Sequence, residues 1–563
     1  MAKTTWMMRL LFFLLLVLFL VFLIAPLGFM LWQSFVQGTA ITFDHYKAVW
    51  ANPALGTAFF NSITVSLVSA MTTTMLAFIV SYTIHFTTIK RGLAKSIRFA
   101  IQLPMLLPTI TYGFVLIYVF GNQGILTKLL GEPLFPIYGF NGLYIGYVLY
   151  TLPAAFLIIS NAMSYIDQRF LIVSSLMHDK PWRQFYHTTL RPVIGPLGAA
   201  FILSFILSFT DYGIPASVGG TYDVIATLLY QTMLGSIPNF AQGAVIAVMM
   251  LIPAIIGGLL LQATERFQTS YRAASPLKAP ASHVKSLLLG SVSGLIALCI
   301  VAIFAVIVMI PFVKAYPYQL TFTLEHVEEA LAFGELTTVY LNSLLVAFAS
   351  AFLGILIAFI AALMRVRTAL RFRRLFDQLE IFTNIIPGMV LGLSYLLLFN
   401  NSTLKGTFII IILSNLIHFF TTPYTMMKNA LEKLDPTWET TSSLLHDSWV
   451  QTITKIILPN MKTTLVSVFS YYFINAMVTV SGVIFLVNTD TSLLSTKIKE
   501  LQHYAKFNDI FILSLIILCT NALMMGICQL IIMRQTRRKH IHATKKAHAV
   551  TRNRESRTSI SRL

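Results

Sequence analysis

Charge is what this chain has least of. Of its 563 residues only 11% are Asp, Glu, Lys or Arg, against 56% hydrophobic, whereas a soluble domain carries roughly 25% charged residues. That deficit excludes an ordinary water-soluble fold. Acid is scarcer than base, with 21 Asp and Glu against 40 Lys and Arg. Ion-coupled carriers place ionisable groups in the middles of their membrane spans, at about 2.5–3.5 kcal/mol each. Here those middles are nearly free of them; His418 is the main exception and reads as a hydrogen-bonded packing residue. Cysteine is equally sparse. Cys299, Cys519 and Cys528 lie inside apolar segments, which argues against a disulfide framework or a thiolate metal site. No Gly-Lys pair occurs anywhere, so the phosphate-cradling Gly-Lys-Ser/Thr loop is absent. No polar stretch is long enough to fold as a nucleotide-binding domain, so this polypeptide does not hydrolyse ATP itself.

What is present is a series of apolar runs of about 20 residues, enough to cross a ~30 Å hydrocarbon core as helix and too long for barrel strands. The first, from Leu10 to about Trp32, follows Lys3 and Arg9. It is too long for the apolar core of a signal peptide and reads as an uncleaved span. The others fall near 58–86, 99–120, 141–163, 196–213, 239–262, 288–312, 336–364, 378–399, 406–427, 461–487 and 510–533. Twelve spans put both termini on one side. With the N-terminus inside, only Lys47, Lys128, Lys314, Lys405, Lys497, Lys499 and Lys506 of the 40 basic residues face outward, which satisfies the positive-inside rule. The net charge of +19 therefore follows the membrane and does not imply nucleic acid. Clusters such as Arg371, Arg373 and Arg374 sit against anionic headgroups, each contributing about 1 kcal/mol.

The chain also repeats itself. Asn61-Ser62 recurs as Asn342-Ser343, Leu107-Pro108 with Gly113 as Ile386-Pro387 with Gly392, and His178-Asp179 as His446-Asp447. The reading is an all-α polytopic protein of two homologous six-span halves in the same orientation, with a translocation path between them. The N-terminal half is 1–262, with a cytosolic loop at 164–195. A polar, Pro-bearing linker covers 263–287. The C-terminal half is 288–533, with its loop at 428–460. A basic tail, 534–563, reads as disordered or lying on the membrane surface.

The most informative repeat lies in the two loops. Ser174-Ser175-Leu176-Met177-His178-Asp179, with Trp182 and Leu190-Arg191-Pro192, returns as Ser442-Ser443-Leu444-Leu445-His446-Asp447, with Trp449 and Leu458-Pro459. The stretch resembles the EAA loop of the permeases of binding-protein-dependent ABC importers: Glu-Ala-Ala, three residues, Gly, then a helix ending near Leu-Pro. In this chain Ile172-Val173-Ser174 and Thr440-Thr441-Ser442 stand at the Glu-Ala-Ala positions, with Glu439 one residue early. His178 and His446 replace the Gly. Asn61-Ser62, Asn342-Ser343 and the outer-loop stretch Phe43-Asp44-His45-Tyr46 extend the likeness along most of the chain.

The resemblance implies a translocation subunit in the cytoplasmic membrane of a bacterium, non-catalytic and binding no cofactor of its own. ATP and Mg would be bound by a separate ABC ATPase, expected as a homodimer. An extracytoplasmic solute-binding protein is the other partner. Short helices near 172–186 and 440–454 would lie parallel to the membrane and dock on the ATPase through Ser174, His178, Asp179, Trp182, Ser442, His446, Asp447, Trp449 and Pro459. Asp211, Tyr212, Asn475, Thr479 and Ser481 are the candidates for the substrate path. Fused halves are typical of the 2-aminoethylphosphonate, iron(III) and thiamine branches. The stretches 210–215 and 478–486 look closest to the first two, so the aminophosphonate is the expected solute and iron(III) or thiamine the alternative. A proton-coupled carrier of the major-facilitator type is a rival, but the loop Thr87-Thr88-Ile89-Lys90-Arg91-Gly92 lacks that family's Gly-x-x-x-Asp-Arg pattern. A membrane lipid-processing enzyme would need clustered acid or His at one interface, and none is evident.

Overall fold

The computed structural model describes residues 6–37, 40–167, 169–265, 282–332 and 335–560, with side chains to 264 and from 282 to 537 in the last stretches. Among the described residues nine helices are long and apolar enough to cross a membrane, from Trp6–Phe35 to Phe507–Arg537. Two bent pairs add two further spans: Leu375–Ile385 with Gly388–Phe399, and Phe408–His418 with Thr421–Glu432. A 17-residue helix, Lys462–Val478, lies where the eleventh span was expected. The fold is thus all-α and polytopic, as read from the runs of apolar residues.

Several spans are broken where the sequence reading drew them whole. The run 378–399 turns through 101° at Ile386-Pro387. Its counterpart in the first half is interrupted at Leu107-Pro108, between Arg91–Gln102 and Thr109–Phe120. Each Pro holds extended backbone and caps the following helix; it brings no N–H and disfavours helix in the residue before it. The carbonyls this frees need partners inside the membrane. Asn521 Nδ2 donates to Leu106 O at 3.0 Å in the first half. The expected span 461–487 likewise stops at Val478, and 196–213 at Thr210. The apolar residues after Val478 form tight turns, with Val483 and Ile484 N–H groups both donating to Val480 O. The helix begun at Phe507 continues into the basic tail as far as Ile560, and no Gly or Pro follows Gly526 to end it. Most of the expected linker, 266–281, lies outside the described residues.

Each half lends its first helix to the other. Trp6–Phe35 packs on the second half, with Phe12 against Phe376 at 5.5 Å, Phe19 against Phe420 at 4.7 Å and Phe22 against Phe399 at 5.7 Å. His283–Phe312 packs on the first, where Ser293 Oγ donates to Thr83 Oγ1 at 2.8 Å. The exchange makes the halves hard to separate. A two-stranded hairpin follows each of these helices, Val36–Gln37 with Ala40–Ile41 and Val313–Ala315 with Gln319–Phe322.

After the fifth and eleventh expected spans the chain folds back against the broken helices, at glycines. A Cβ on Gly113 would stand 1.8 Å from Ser217 Oγ, and one on Gly392 2.7 Å from Gly482 O. Overpacking of this kind costs about 1–3 kcal/mol. Gly392→Val is therefore expected to lower the temperature at which the detergent-solubilised protein aggregates. An unchanged temperature would show that the contact is slack.

Candidate functional site

The two repeated loops fold alike, atom for atom at the turn. Two residues beyond the ends of the helices Arg169–Leu176 and Thr437–Leu444, His178 and His446 take left-handed backbone, φ 54° and 60°. In the first loop Asp179 N–H donates to Ser174 O at 3.2 Å and His178 N–H to Ser175 O at 3.2 Å. In the second, Asp447 N–H reaches Ser442 O at 3.1 Å and His446 N–H reaches Ser443 O at 3.2 Å. These paired bonds are a Schellman C-cap. His stands where Gly is usual, in a region that non-glycine residues enter uncommonly but His more readily than most. The buried Ser174 hydroxyl then donates to Asp179 Oδ2 at 2.8 Å, and Ser442 to Asp447 Oδ2 at 3.0 Å. The helices expected over 172–186 and 440–454 are therefore each two arms with a tight turn between. Beyond the turn, Pro181 opens one second arm, and Ser448 caps the other by accepting from Gln451 N–H. Each second arm passes through a π-turn, Tyr186–Leu190 or Ile453–Ile457, just before Pro192 or Pro459. A proline ring that cannot face the carbonyl four residues back accounts for the wider turn.

Ser174, His178, Asp179, Ser442, His446 and Asp447 are thus brought together as the frame of the two turns. Arg183 lies 3.6 Å from Asp179, and Lys455 lies 3.4 Å from Asp447. The tryptophans are not equivalent: Trp182 is 69% exposed, while Trp449 packs partly against the core. What the turns present most openly is a pair of apolar side chains missing from the sequence reading. Leu176 and Met177 are 73% and 71% exposed, and Leu444 and Leu445 are 74% and 73%. The signal was available, since an apolar pair sits inside each polar loop between Ser-Ser and His-Asp.

One difference between the loops is electrostatic. Arg367, at the end of Glu335–Arg367, has its Nε 2.6 Å from Glu439 Oε1. Its Nη2 donates to Leu431 O and Leu434 O, both at 2.8 Å. One guanidinium therefore joins a spanning helix, the exit of its neighbour and the second loop. Leu171 holds Glu439's place in the first loop, with its carbonyl accepting from Gln184 Nε2 at 2.9 Å.

At the far ends of the same helices the Asn-Ser repeat finds its use. Ser62 Oγ accepts from Ile225 N–H and Ser343 Oγ from Leu494 N–H, each at 2.8 Å. Asn61 Nδ2 donates to Asp223 O and Asn342 Nδ2 to Asp490 O, each at 3.0 Å. Each pair pins the start of a short helix, Ile225–Leu234 or Leu494–His503. Losing a helix cap costs about 1 kcal/mol. Ser343→Ala is accordingly expected to raise amide exchange in Leu494–His503 by roughly five-fold, while exchange in Ile225–Leu234 stays at its original rate.

The candidates for the substrate path are dispersed. Asp211 is buried, and its carboxylate accepts from Ile214 N–H at 2.9 Å, which makes it a helix cap. Asn475 Nδ2 donates to Tyr471 O at 2.7 Å, and Thr479 O accepts from Ser495 Oγ at 2.7 Å. Ser481 is half-buried. Tyr212 is buried against Tyr230, ring centroids 4.7 Å apart. It is the one of the five that lines the cavity of about 340 Å³ between the halves, with Tyr138, Tyr222 and Asp223 from the first half and Lys499 and Gln502 from the second. A cavity of about 820 Å³ shares Tyr230, Lys499 and Gln502. No cluster of His, Cys, Asp and Glu that could hold a metal occurs among the described residues.

Two interlocked helical halves, paired loops at one end and a cavity between the halves at the other define a membrane permease. The chain belongs to the family of binding-protein-dependent transport system inner membrane components, which it matches twice, over residues 80–270 and 354–537. It is 28% identical over 434 residues to the putative ferric transport system permease protein FbpB 1 of Haemophilus influenzae, covering 73% of this chain and 67% of that one. It is 28% identical over 412 residues to the ferric transport system permease protein FbpB of Actinobacillus pleuropneumoniae, covering 69% and 59%. Over 165 residues, 28% of this chain, it is 31% identical to the molybdenum transport system permease protein ModB of Azotobacter vinelandii, 72% of which is covered. The chain is thus a fused permease of the ABC importer class, a non-catalytic transmembrane component.

Proposed function

We propose that this chain is the translocation subunit of an ATP-driven importer for iron(III). It works with a separate ABC ATPase, a homodimer that binds ATP and Mg, and with an extracytoplasmic solute-binding protein. Both termini and both loops face the cytosol of a bacterium. The observation that carries the coupling role is the identity of the two turns, each offering an exposed apolar pair on a frame fixed by Ser and Asp. Isolated apolar residues are normal on a surface, but matched pairs at equivalent places fit two equivalent sockets. The substrate reading rests on the two relatives named for ferric transport, which span most of the chain. They favour iron(III) over the 2-aminoethylphosphonate suggested by short stretches, and nothing in the structure points to thiamine. A proton-coupled carrier has no support from the family.

The test has two parts. Cysteines placed singly at Met177 and Leu445 should react with impermeant maleimide only in inside-out vesicles, and tagged chain should co-purify an ATPase at two subunits per chain. Labelling from outside the cell would overturn the topology, and purification without an ATPase would overturn the coupling role.

A further inference from the structure

The wall between the halves carries a cation with no counter-charge among the described residues. Lys499 lies half-buried on Leu494–His503 and faces both cavities. Its Nζ donates to Gln502 Oε1 at 2.8 Å. The carboxylates beside it belong to its neighbour: Lys497 Nζ is 2.5 Å from Glu335 Oε1 and 2.8 Å from Glu500 Oε1. Among the described residues no carboxylate pairs with Lys499. Burial lowers its ammonium below the usual lysine range, and a buried charge without a counter-charge is costly. The site is also held in place. Gln502 Nε2 donates across the boundary between halves to Ala216 O at 2.9 Å, and Ser343 pins the start of the helix. With Lys499, the smaller cavity is lined by four tyrosines, Tyr138, Tyr212, Tyr222 and Tyr230, and one acid, Asp223, all from the first half.

We propose that Lys499 and Gln502, with the phenol hydroxyls opposite, accept an oxyanion group of the solute where it passes between the halves. The inference rests on reading the chain as the translocation subunit. An ammonium at this point attracts phosphonate or carboxylate oxygens by charge-assisted hydrogen bonds and repels a bare polyvalent cation. Iron(III) therefore passes this point with oxyanion ligands screening its charge. The oxyanion has two sources: a ligand carried on the metal, or an acidic group of an organic solute.

The test uses the full chain with its ATPase in lipid nanodiscs, titrated calorimetrically with iron(III) citrate, with citrate and with 2-aminoethylphosphonate. Wild-type binding of iron(III) citrate alone assigns the oxyanion to the metal complex. Binding of citrate or the aminophosphonate without iron assigns it to a free acid. In either case Lys499→Gln should weaken the bound probe at least ten-fold, with Lys499→Arg within about three-fold of wild type and ATPase recovery unchanged in both. Equal binding by wild type and Lys499→Gln, or no binding of any probe to wild type, overturns the site while leaving the subunit reading intact. Failure of the wild-type chain to assemble with the ATPase overturns the subunit reading itself.

Discussion

Leu444→Asp with Leu445→Asp should reduce recovery of the ATPase by at least 100-fold while the permease stays folded in the membrane. Both side chains are more than 70% exposed, so the substitution removes little packing within the chain. Burying a leucine in a partner's groove contributes about 1.5–3 kcal/mol, and two of them account for the drop before the cost of placing carboxylates in a dry socket is counted. Leu176→Asp with Met177→Asp should act in the same way on the other socket, and the four-fold variant should retain no ATPase. The competing role for these residues is to dip into the headgroup layer beside the loop. In that case ATPase recovery would be unchanged, and the effect would appear as altered extraction from the membrane.

Arg367→Ala should separate docking from transport. The substitution leaves the apolar pair in place, so the ATPase still binds. It strands Glu439 and releases the carbonyls of Leu431 and Leu434. Removing one partner of a buried ion pair costs about 3–5 kcal/mol, and with Glu439 partly exposed the lower end applies. The second loop then moves without drawing the Glu335–Arg367 helix with it. ATP hydrolysis should continue while uptake falls at least ten-fold. Arg367→Lys should lie between, since an ammonium keeps the charge but not the planar fork that reaches carboxylate and carbonyls together. If Arg367→Ala transports as wild type, the guanidinium only stabilises the loop. The first half offers an internal comparison: Leu171 replaces Glu439 there, so that loop is held by packing and by Gln184.

The sequence carried the architecture because hydrophobic runs and their duplication are properties of chain order. The repeated Ser-Ser…His-Asp stretch led directly to the paired turns, and the positive φ of both histidines explains why His stands where Gly is usual. What was not legible depends on partners distant in sequence. Nothing in the run 10–32 says that it packs against Phe376, Phe399 and Phe420 of the opposite half. From sequence Glu439 reads only as a displaced Glu, because Arg367 is 72 positions away. Asn61-Ser62 and Asn342-Ser343 were visible as a repeat, but the helix starts they cap lie about 150 to 163 residues further on. Asp211 reads from sequence only as an acid near a span end; that its carboxylate accepts from Ile214 N–H depends on the fold. The break at Ile386-Pro387 follows from the proline, while its angle of 101° depends on what packs against each arm.

In the proposed function this chain is a passive gate driven through two matched loops. The most direct measurement is uptake of radioactive iron(III) into proteoliposomes holding the purified chain, an ABC ATPase that co-purifies with it and a solute-binding protein. Uptake should require ATP and all three components, and should disappear when Leu176, Met177, Leu444 and Leu445 are replaced by Asp. Uptake by the chain alone, driven by an ion gradient without the ATPase, would contradict it.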